Sequence, residues 1–213
     1  GSSLRIPAFC SVSDVDGQYV YTILEDIIFE PENADLIVTK EAIQGVKVDF
    51  SINGEQRITL ANIDSMNRIY IDDRNIAENG ILIKLYDSIS MSTWDRVDNV
   101  ETQPYGSTCF EFDIDPISDT PYIQFPNYIR NIIGSGLSIS YIVTDGERGR
   151  IIANTLTKLE NTSTGILGNT DQSSEITMND DNLKIQNVSS SNGGFDPESV
   201  EDAYYNYKKT IHS

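Results

Sequence analysis

Hydrophobic and polar residues alternate along most of the chain, and this period of two predicts β-strands rather than helices. The pair Asn53-Gly54 is typical of a tight hairpin turn, so residues 56–60 are expected to pair back on residues 46–52. The segment from Asp14 to Gly17 is a second turn signal, which predicts a hairpin between residues 5–9 and 18–23. Further strands are predicted at residues 35–39, 68–71, 80–86, 107–113 and 137–143, and loops at 161–182 and 187–194.

One helix is predicted, over residues 197–213 at the C-terminal end. Asp196 is suited to cap this helix, and Pro197 is suited to its first position. Apolar residues recur at helical spacing after this start and form one stripe, which should pack against a neighbouring chain or a segment that follows. The stripe consists of Val200, Tyr204, Tyr207 and Ile211.

Composition supports the β interpretation and limits the partners. Isoleucine outnumbers alanine by 29 to 7, and β-branched side chains suit pleated sheets better than helices. Fifteen basic residues against 33 acidic ones give a net charge of −18, which repels nucleic-acid phosphates and anionic membranes. We therefore expect no nucleic acid and no membrane among the partners of the chain.

Residues for the common catalytic and metal-binding chemistries are scarce. His212 is the only histidine and lies next to the end of the sequence, so neither histidine acid–base chemistry nor a Ser-His-Asp triad is expected. Cys10 and Cys109 are interpreted as reduced, buried thiols, too few for a disulfide framework or a zinc site. No phosphate-binding loop motif is present. The chain is therefore not expected to be an enzyme, and no cofactor, metal or small-molecule substrate is predicted.

Two features look like functional motifs but have simpler structural interpretations. Asp14, Asp16 and Gly17 are similar to the start of a calcium loop, but the glycine comes too early and the intervening ligands are lacking. A turn is therefore favoured there. Trp94, the only tryptophan, is interpreted as a packed β residue rather than a platform for a sugar.

Near the C-terminal end, the run Gly193-Gly194-Phe195-Asp196-Pro197-Glu198-Ser199 resembles a signature of the baseplate J-like proteins of contractile phage tails. In such a run the glycines permit a sharp chain reversal and the Asp-Pro pair starts a helix. Three other stretches, at residues 6–28, 94–125 and 140–151, are similar to further parts of the same family and occur in the same order. Together these stretches extend over nearly the whole chain.

The resemblance implies a mainly β fold with a few helices (α+β) and a discontinuous organisation. Residues 1–45 plus 147–196 would form an outer β domain, residues 46–146 an inserted β-rich domain, and residues 197–213 a helix leading to a docking region. The implied function is that of a structural wedge subunit in the inner ring of a tail baseplate, which holds its neighbours through protein–protein interfaces. Its partners would be other baseplate proteins and copies of itself, in a virion assembled in the bacterial host cytoplasm. The candidate interface residues are Gly193, Gly194, Asp196, Pro197, Val200, Tyr204, Tyr207 and Ile211.

Two other classes of function stay open at the level of sequence. One is a carbohydrate- or receptor-binding β-module of a tail tip, which would carry an exposed aromatic cluster; the 11 tyrosines could supply it. The other is a carboxylate-based glycosidase, which would need two facing acids in a cleft.

Overall fold

The computed structural model of the chain describes residues 3–6, 8–29, 37–86, 93–134, 136–160, 165–167 and 184–192. In this part of the chain strands prevail and only one α-helix occurs, α1 (Ile129–Ile132), which confirms the predicted mainly β fold with few helices. The strands are, in chain order, β1 (Ser3–Ile6), β2 (Cys10–Ser13), β3 (Val20–Ile23), β4 (Ile27–Phe29), β5 (Ala42–Gln44), β6 (Val46–Asp49), β7 (Arg68–Tyr70), β8 (Leu82–Leu85), β9 (Asp95–Arg96), β10 (Cys109–Asp115), β11 (Thr120–Gln124), β12 (Leu137–Val143), β13 (Lys158–Glu160) and β14 (Gly165–Leu167).

The chain divides into two compact units, and the first consists of Gly1–Gly45 together with Thr144–Ser213. Its described strands form two antiparallel sheets, ordered β14-β1-β4 and β13-β2-β3-β5. In the hairpin of β2 and β3, Val12 lies opposite Tyr21, and both side chains enter the core because alternate residues of a strand share one face. The buried members of this core are Ile6, Cys10, Val12, Tyr21, Ile23, Ile151 and Leu156.

A short 3-10 turn, Gly146–Gly149, packs beside β3 and β5 of the first unit. The Tyr21 hydroxyl donates a buried hydrogen bond of 2.7 Å to the carbonyl oxygen of Gly149. The Gln44 side chain accepts a bond of 2.7 Å from the backbone N–H of Asp145 and donates one of 2.8 Å to its carboxylate. A Cβ atom on Gly149 would lie 2.2 Å from Gln44 Cδ, so the Gln44 side chain would have to move and give up its bonds to Asp145 if this glycine were replaced.

The segment 184–192 is tied to residues 151–157 of the same unit chiefly by one side chain, Asn187. Its Oδ1 accepts hydrogen bonds from the backbone N–H groups of Thr155 (2.8 Å) and Leu156 (2.9 Å). Its Nδ2 donates to the carbonyl oxygens of Ile152 and Ser189, each at 2.8 Å. The amide thus uses both its acceptor and its donors to fix a non-repetitive segment that has no strand ladder of its own.

The second unit is the continuous segment Val46–Val143. It contains one sheet ordered β7-β11-β10-β9, in which only β9 pairs in parallel, and an antiparallel sheet ordered β6-β12-β8. Ile69, Ile123 and Phe110 of the first sheet share one core with Ile83 and Ile139 of the second. The core is continuous between the sheets and includes α1, which contributes the fully buried Ile129.

The observed strands and turns can be compared with those predicted from the alternation of hydrophobic and polar residues. The strand predicted at residues 137–143 coincides with β12, and the predicted turn at Asn53-Gly54 is confirmed: both residues have positive φ (54° and 84°), and Ile52 bridges Glu55 across them. The prediction that residues 56–60 pair back on 46–52 is wrong, because Ile58 bridges Leu137 instead. Residue 58 therefore pairs with the distant strand β12 and not with the strand just before the turn.

The hairpin predicted between residues 5–9 and 18–23 is also wrong in one of its strands. The strand that pairs with β3 is β2, while β1 pairs with β4 and β14. Phe9 has a left-handed φ of 64° and separates β1 from β2, which the hydrophobic run did not indicate. Elsewhere, residues 37–39 lie outside any strand, and the predicted loop 161–182 contains β14.

Candidate functional site

The interface residues predicted from the sequence all fall outside the described residues. The same holds for the predicted helix 197–213 and for His212, so these interpretations stay predictions. The residues concerned are Gly193, Gly194, Asp196, Pro197, Val200, Tyr204, Tyr207 and Ile211.

Three residues with potential chemistry have structural roles. Trp94 is 4% exposed and packs edge-on against Phe125, with ring centroids 5.6 Å apart, which confirms a packed residue, although Trp94 directly precedes β9 and lies in no strand. Cys10 and Cys109 are free and buried, as predicted. Burial raises the pKa of the Cys10 thiol to about 11, so this thiol stays protonated and unreactive at neutral pH.

The turn at Asp14 is held by hydrogen bonds within the chain. The Asp14 carboxylate accepts a bond of 2.9 Å from the backbone N–H of Tyr19, and its carbonyl oxygen accepts one of 3.2 Å from Gly17. Among the described residues, His, Cys, Asp and Glu nowhere form a group of three suited to hold a metal ion. Within the same residues, no helix has both the length and the apolar character to cross a membrane.

Two polar pairs anchor β12 of the second unit. The Ser140 hydroxyl donates to the Asp49 carboxylate at 2.7 Å, and the Tyr141 hydroxyl donates to the Asp73 carboxylate at 2.6 Å. Burial pushes the pKa of Asp49 upward, but hydrogen bonds from Lys47 and Ser140 outweigh burial, so the net pKa lies below its ordinary value. For Tyr141, burial and the bond to Asp73 both raise the pKa. The first pair joins β12 to β6, and the second joins β12 to the segment that follows β7.

The described residues of the second unit carry a cluster that could bind a ligand, here called the tyrosine patch: Tyr105, Tyr128, Glu101, Gln103, Asn127 and Asn131. Tyr105 is 77% exposed, and its ring lies against that of Tyr128 with centroids 4.8 Å apart and planes tilted by 51°. The patch borders a shallow depression of about 240 Å³, whose floor includes the buried residues Val100 and Pro126.

Local turn chemistry builds one side of the tyrosine patch. A 3-10 turn, Val100–Thr102, begins where the Asn99 side chain accepts a hydrogen bond of 2.8 Å from the backbone N–H of Glu101. A second turn follows, in which Ser107 N–H donates to the carbonyl oxygen of Pro104 at 3.2 Å and Gly106 has a φ of 89°. Tyr105 therefore sits at the tip of a short, hydrogen-bonded loop, which explains its exposure.

Residues distant in sequence complete the tyrosine patch from the other side. The Tyr128 hydroxyl donates to the Pro104 carbonyl oxygen at 2.9 Å, which ties the Tyr105 loop to the segment before α1. Asn131 Nδ2 donates to the Tyr105 hydroxyl oxygen at 2.9 Å. Asn127 Nδ2 donates to Glu101 Oε1 over 3.3 Å. Both tyrosine hydroxyls are thus fixed, while the amide and carboxylate groups face the depression.

A second group of side chains, here called the ladder, lies on one face of β7 and β11 close to the tyrosine patch. It consists of Arg68, Tyr70, Tyr122 and Gln124. The Arg68 guanidinium lies 4.3 Å from the centroid of the Tyr122 ring, and Arg68 Nε donates to Gln124 Oε1 at 3.0 Å. Tyr70 packs on Tyr122 with centroids 5.9 Å apart. Asn67, which precedes Arg68, donates to Asn127 Oδ1 at 3.0 Å. The ladder is therefore joined to the tyrosine patch by a direct hydrogen bond.

Sequence reasoning named neither Tyr105 nor Tyr128. It stated only that a carbohydrate- or receptor-binding module would show an exposed aromatic cluster; of the two rings in contact here, Tyr105 is exposed and Tyr128 is half-buried. The available signal was local: Tyr105 stands between Pro104 and Gly106, so a turn would expose it. Its pairing with Tyr128 joins positions that no periodicity relates.

No protein-family model matches the chain, and no curated protein sequence matches it.

Proposed function

We propose that the chain is a structural subunit of a contractile phage tail baseplate, which acts by holding neighbouring proteins through its surfaces. The observation that carries the proposal is the discontinuous organisation of the chain. The first unit is interrupted after Gly45 and resumes at Thr144, and the intervening segment forms a unit with its own core. The sequence resemblance to baseplate J-like proteins implies an insertion between the same parts of the chain.

The hairpin of β10 and β11 offers a surface suited to such contacts. At its tip Ile117 is 96% exposed, and the nearby Ile114 is 47% exposed. The Asp115 carboxylate fixes the tip by accepting hydrogen bonds from the backbone N–H groups of Ile117 (2.8 Å) and Ser118 (3.1 Å). These two bonds lower the pKa of Asp115, so the tip keeps its shape at neutral pH. A rigid tip with apolar side chains contacts a partner at little cost in conformational entropy.

Immuno-electron microscopy tests the location directly. Antibody raised against the purified chain is applied to tailed particles from the source organism, and label is expected at the baseplate end of the tail. Particles that lack the label throughout, although the antibody detects the chain in their lysate, would refute the proposal.

A charge placed at the hairpin tip tests the mode of action. Ile117→Asp should reduce incorporation of the chain into particles and leave its thermal unfolding unchanged, because the side chain contacts almost nothing within the unit. Val15→Asp is the matched control, since Val15 is also exposed (63%) at a turn but belongs to the first unit. Equal incorporation of both variants would show that the tip makes no assembly contact.

A second candidate function is the binding of a carbohydrate or receptor by a β-module. The exposed Tyr105 ring, which packs on the half-buried Tyr128, favours it, since aromatic faces beside amide and carboxylate groups are a common way to hold a sugar. A glycan array probed with the labelled full chain tests this function. Binding to defined glycans is expected; an array without any signal above that of an unrelated acidic protein would eliminate it.

A further inference from the structure

We infer that the tyrosine patch binds one ring of an uncharged sugar, with the exposed face of Tyr105 as the platform. This inference rests on the second candidate function and adds to it the site, the ligand class and the residue on which the ring lies. It does not depend on the proposed role in a baseplate.

The Tyr105 ring is preorganised, because contacts within the chain already hold it in place. The Tyr105 ring packs on Tyr128 on one side, at 4.8 Å between centroids, and remains 77% exposed overall. Its hydroxyl oxygen is held by Asn131, and the hydroxyl of Tyr128 is held by Pro104. Because these contacts restrict both rings, a ligand that lies on Tyr105 has little side-chain freedom to remove.

The polar groups of the patch match a ligand with many hydroxyl groups. Gln103 Nε2 makes bonds of 3.4 Å to the Asn99 carbonyl oxygen and 3.3 Å to the Thr102 hydroxyl, and Asn127 reaches Glu101 over 3.3 Å. Bonds of this length are weak, so ligand hydroxyls can replace them at small cost. Both donors and acceptors are present, as a sugar hydroxyl requires.

The size of the depression suits one sugar ring. Its volume is about 240 Å³, below the roughly 300–1,000 Å³ of typical pockets for drug-sized ligands and cofactors. A nucleotide or a folded peptide would therefore extend well beyond it. A terminal or single internal sugar unit of a longer glycan fits this space, with the rest of the glycan in solvent.

Charge and ring spacing favour an uncharged sugar over two other classes of small ligand, anionic sugars and quaternary ammonium ions. Glu101 lines the depression and the whole chain carries a net charge of −18, which disfavours sialic acid and other anionic sugars. A quaternary ammonium ion needs aromatic faces that stand apart around it. The rings of Tyr105 and Tyr128 contact each other at 4.8 Å, so no cation enters between them.

Saturation-transfer NMR on the full chain tests the inference with glucose, galactose, mannose, N-acetylglucosamine, sialic acid and tetramethylammonium as probes. At least one uncharged sugar should give a signal, and its affinity should fall about tenfold in Tyr105→Ala through loss of the stacked face. Tyr105→Phe, which keeps the ring and loses only the bond to Asn131, should bind within about threefold of the original chain. Tyr70→Ala is the matched control, because Tyr70 is also exposed (40%) in the same unit and should not affect binding.

Folding of each variant is followed by the fluorescence of Trp94, which lies in the core of the same unit. Glycans that bind on the array but bind Tyr105→Ala unchanged would overturn this inference and leave the second candidate function standing. Failure of every glycan on the array would overturn both. A preference for sialic acid or tetramethylammonium over all uncharged sugars would overturn the ligand class.

Discussion

Replacement of the Asn187 side chain should destabilise the first unit. The change Asn187→Ala removes four hydrogen bonds of 2.8–2.9 Å at once. The two bonds to Oδ1 are partly buried, and the substitution leaves the backbone N–H groups of Thr155 and Leu156 without this partner. The two bonds from Nδ2 are exposed, so water replaces them readily.

The magnitude follows from this difference in exposure. A typical intramolecular hydrogen bond contributes about 0.5–1.5 kcal/mol net, and the two partly buried bonds belong near the upper end of that range. The two exposed bonds belong near the lower end, so the free energy of unfolding should fall by about 2–4 kcal/mol. With a urea dependence of about 2 kcal/mol per molar, the middle of the usual range, the midpoint should move down by about 1–2 M.

Urea unfolding followed by far-ultraviolet circular dichroism measures this shift. Asn192→Ala serves as the control, because Asn192 is an exposed asparagine of the same segment for which the structure shows no hydrogen bond within the described residues. Its midpoint should stay within about 0.2 M of the original. If Asn187→Ala shifts the midpoint no further than the control does, the four side-chain bonds of Asn187 contribute nothing measurable to stability and the reasoning is refuted.

Three further predictions concern other contacts. Gly149→Ala should cost about 1–3 kcal/mol of unfolding free energy, because the new Cβ meets Gln44, and should cost clearly less in a Gln44→Ala background; equal costs in both would contradict the clash. The lowered pKa of Asp49 stabilises the fold above its unfolded pKa of about 4, and this contribution is lost as the pH falls through the folded value. Asp49→Asn should therefore flatten the decline of the urea midpoint between about pH 5 and pH 3, and an unchanged slope would show that the carboxylate is not the group concerned. The segment Val46–Val143, expressed alone, should unfold in a single cooperative transition, and a gradual loss of structure on heating would contradict an independent unit.

Local signals in the sequence account for some elements and fail for others in a consistent way. Strand β12 and the turn at Asn53-Gly54 depend on alternation and on glycine chemistry within a few residues, and both were predicted correctly. The pairing partner of Ile58 was predicted wrongly, because Ile58 pairs with Leu137, which is distant in sequence. Pairing between distant segments depends on the whole topology, which a short pattern does not contain.

The candidate site shows the same limit. The loop at Pro104 and Gly106 could be predicted from its turn residues, but the contact of Tyr105 with Tyr128 spans 23 positions between two non-repetitive segments. Asn187 is similar, since nothing around it in the sequence marks it as the partner of Thr155 and Leu156. Contacts made by single side chains in irregular segments produce no periodic pattern in the sequence. They can be identified only in the folded structure.

The second unit begins and ends on neighbouring positions of one ladder, where Val46 pairs with Val143. Because the two ends of the inserted segment lie side by side, the first unit can accommodate this segment as it would a short loop. Its chain need not span a long distance between Gly45 and Thr144. The segment is thus built like a cassette that recombination could exchange as one piece. Related chains could differ by the whole cassette and keep the host strands in register, and a foreign domain with adjacent ends could be grafted between Gly45 and Thr144.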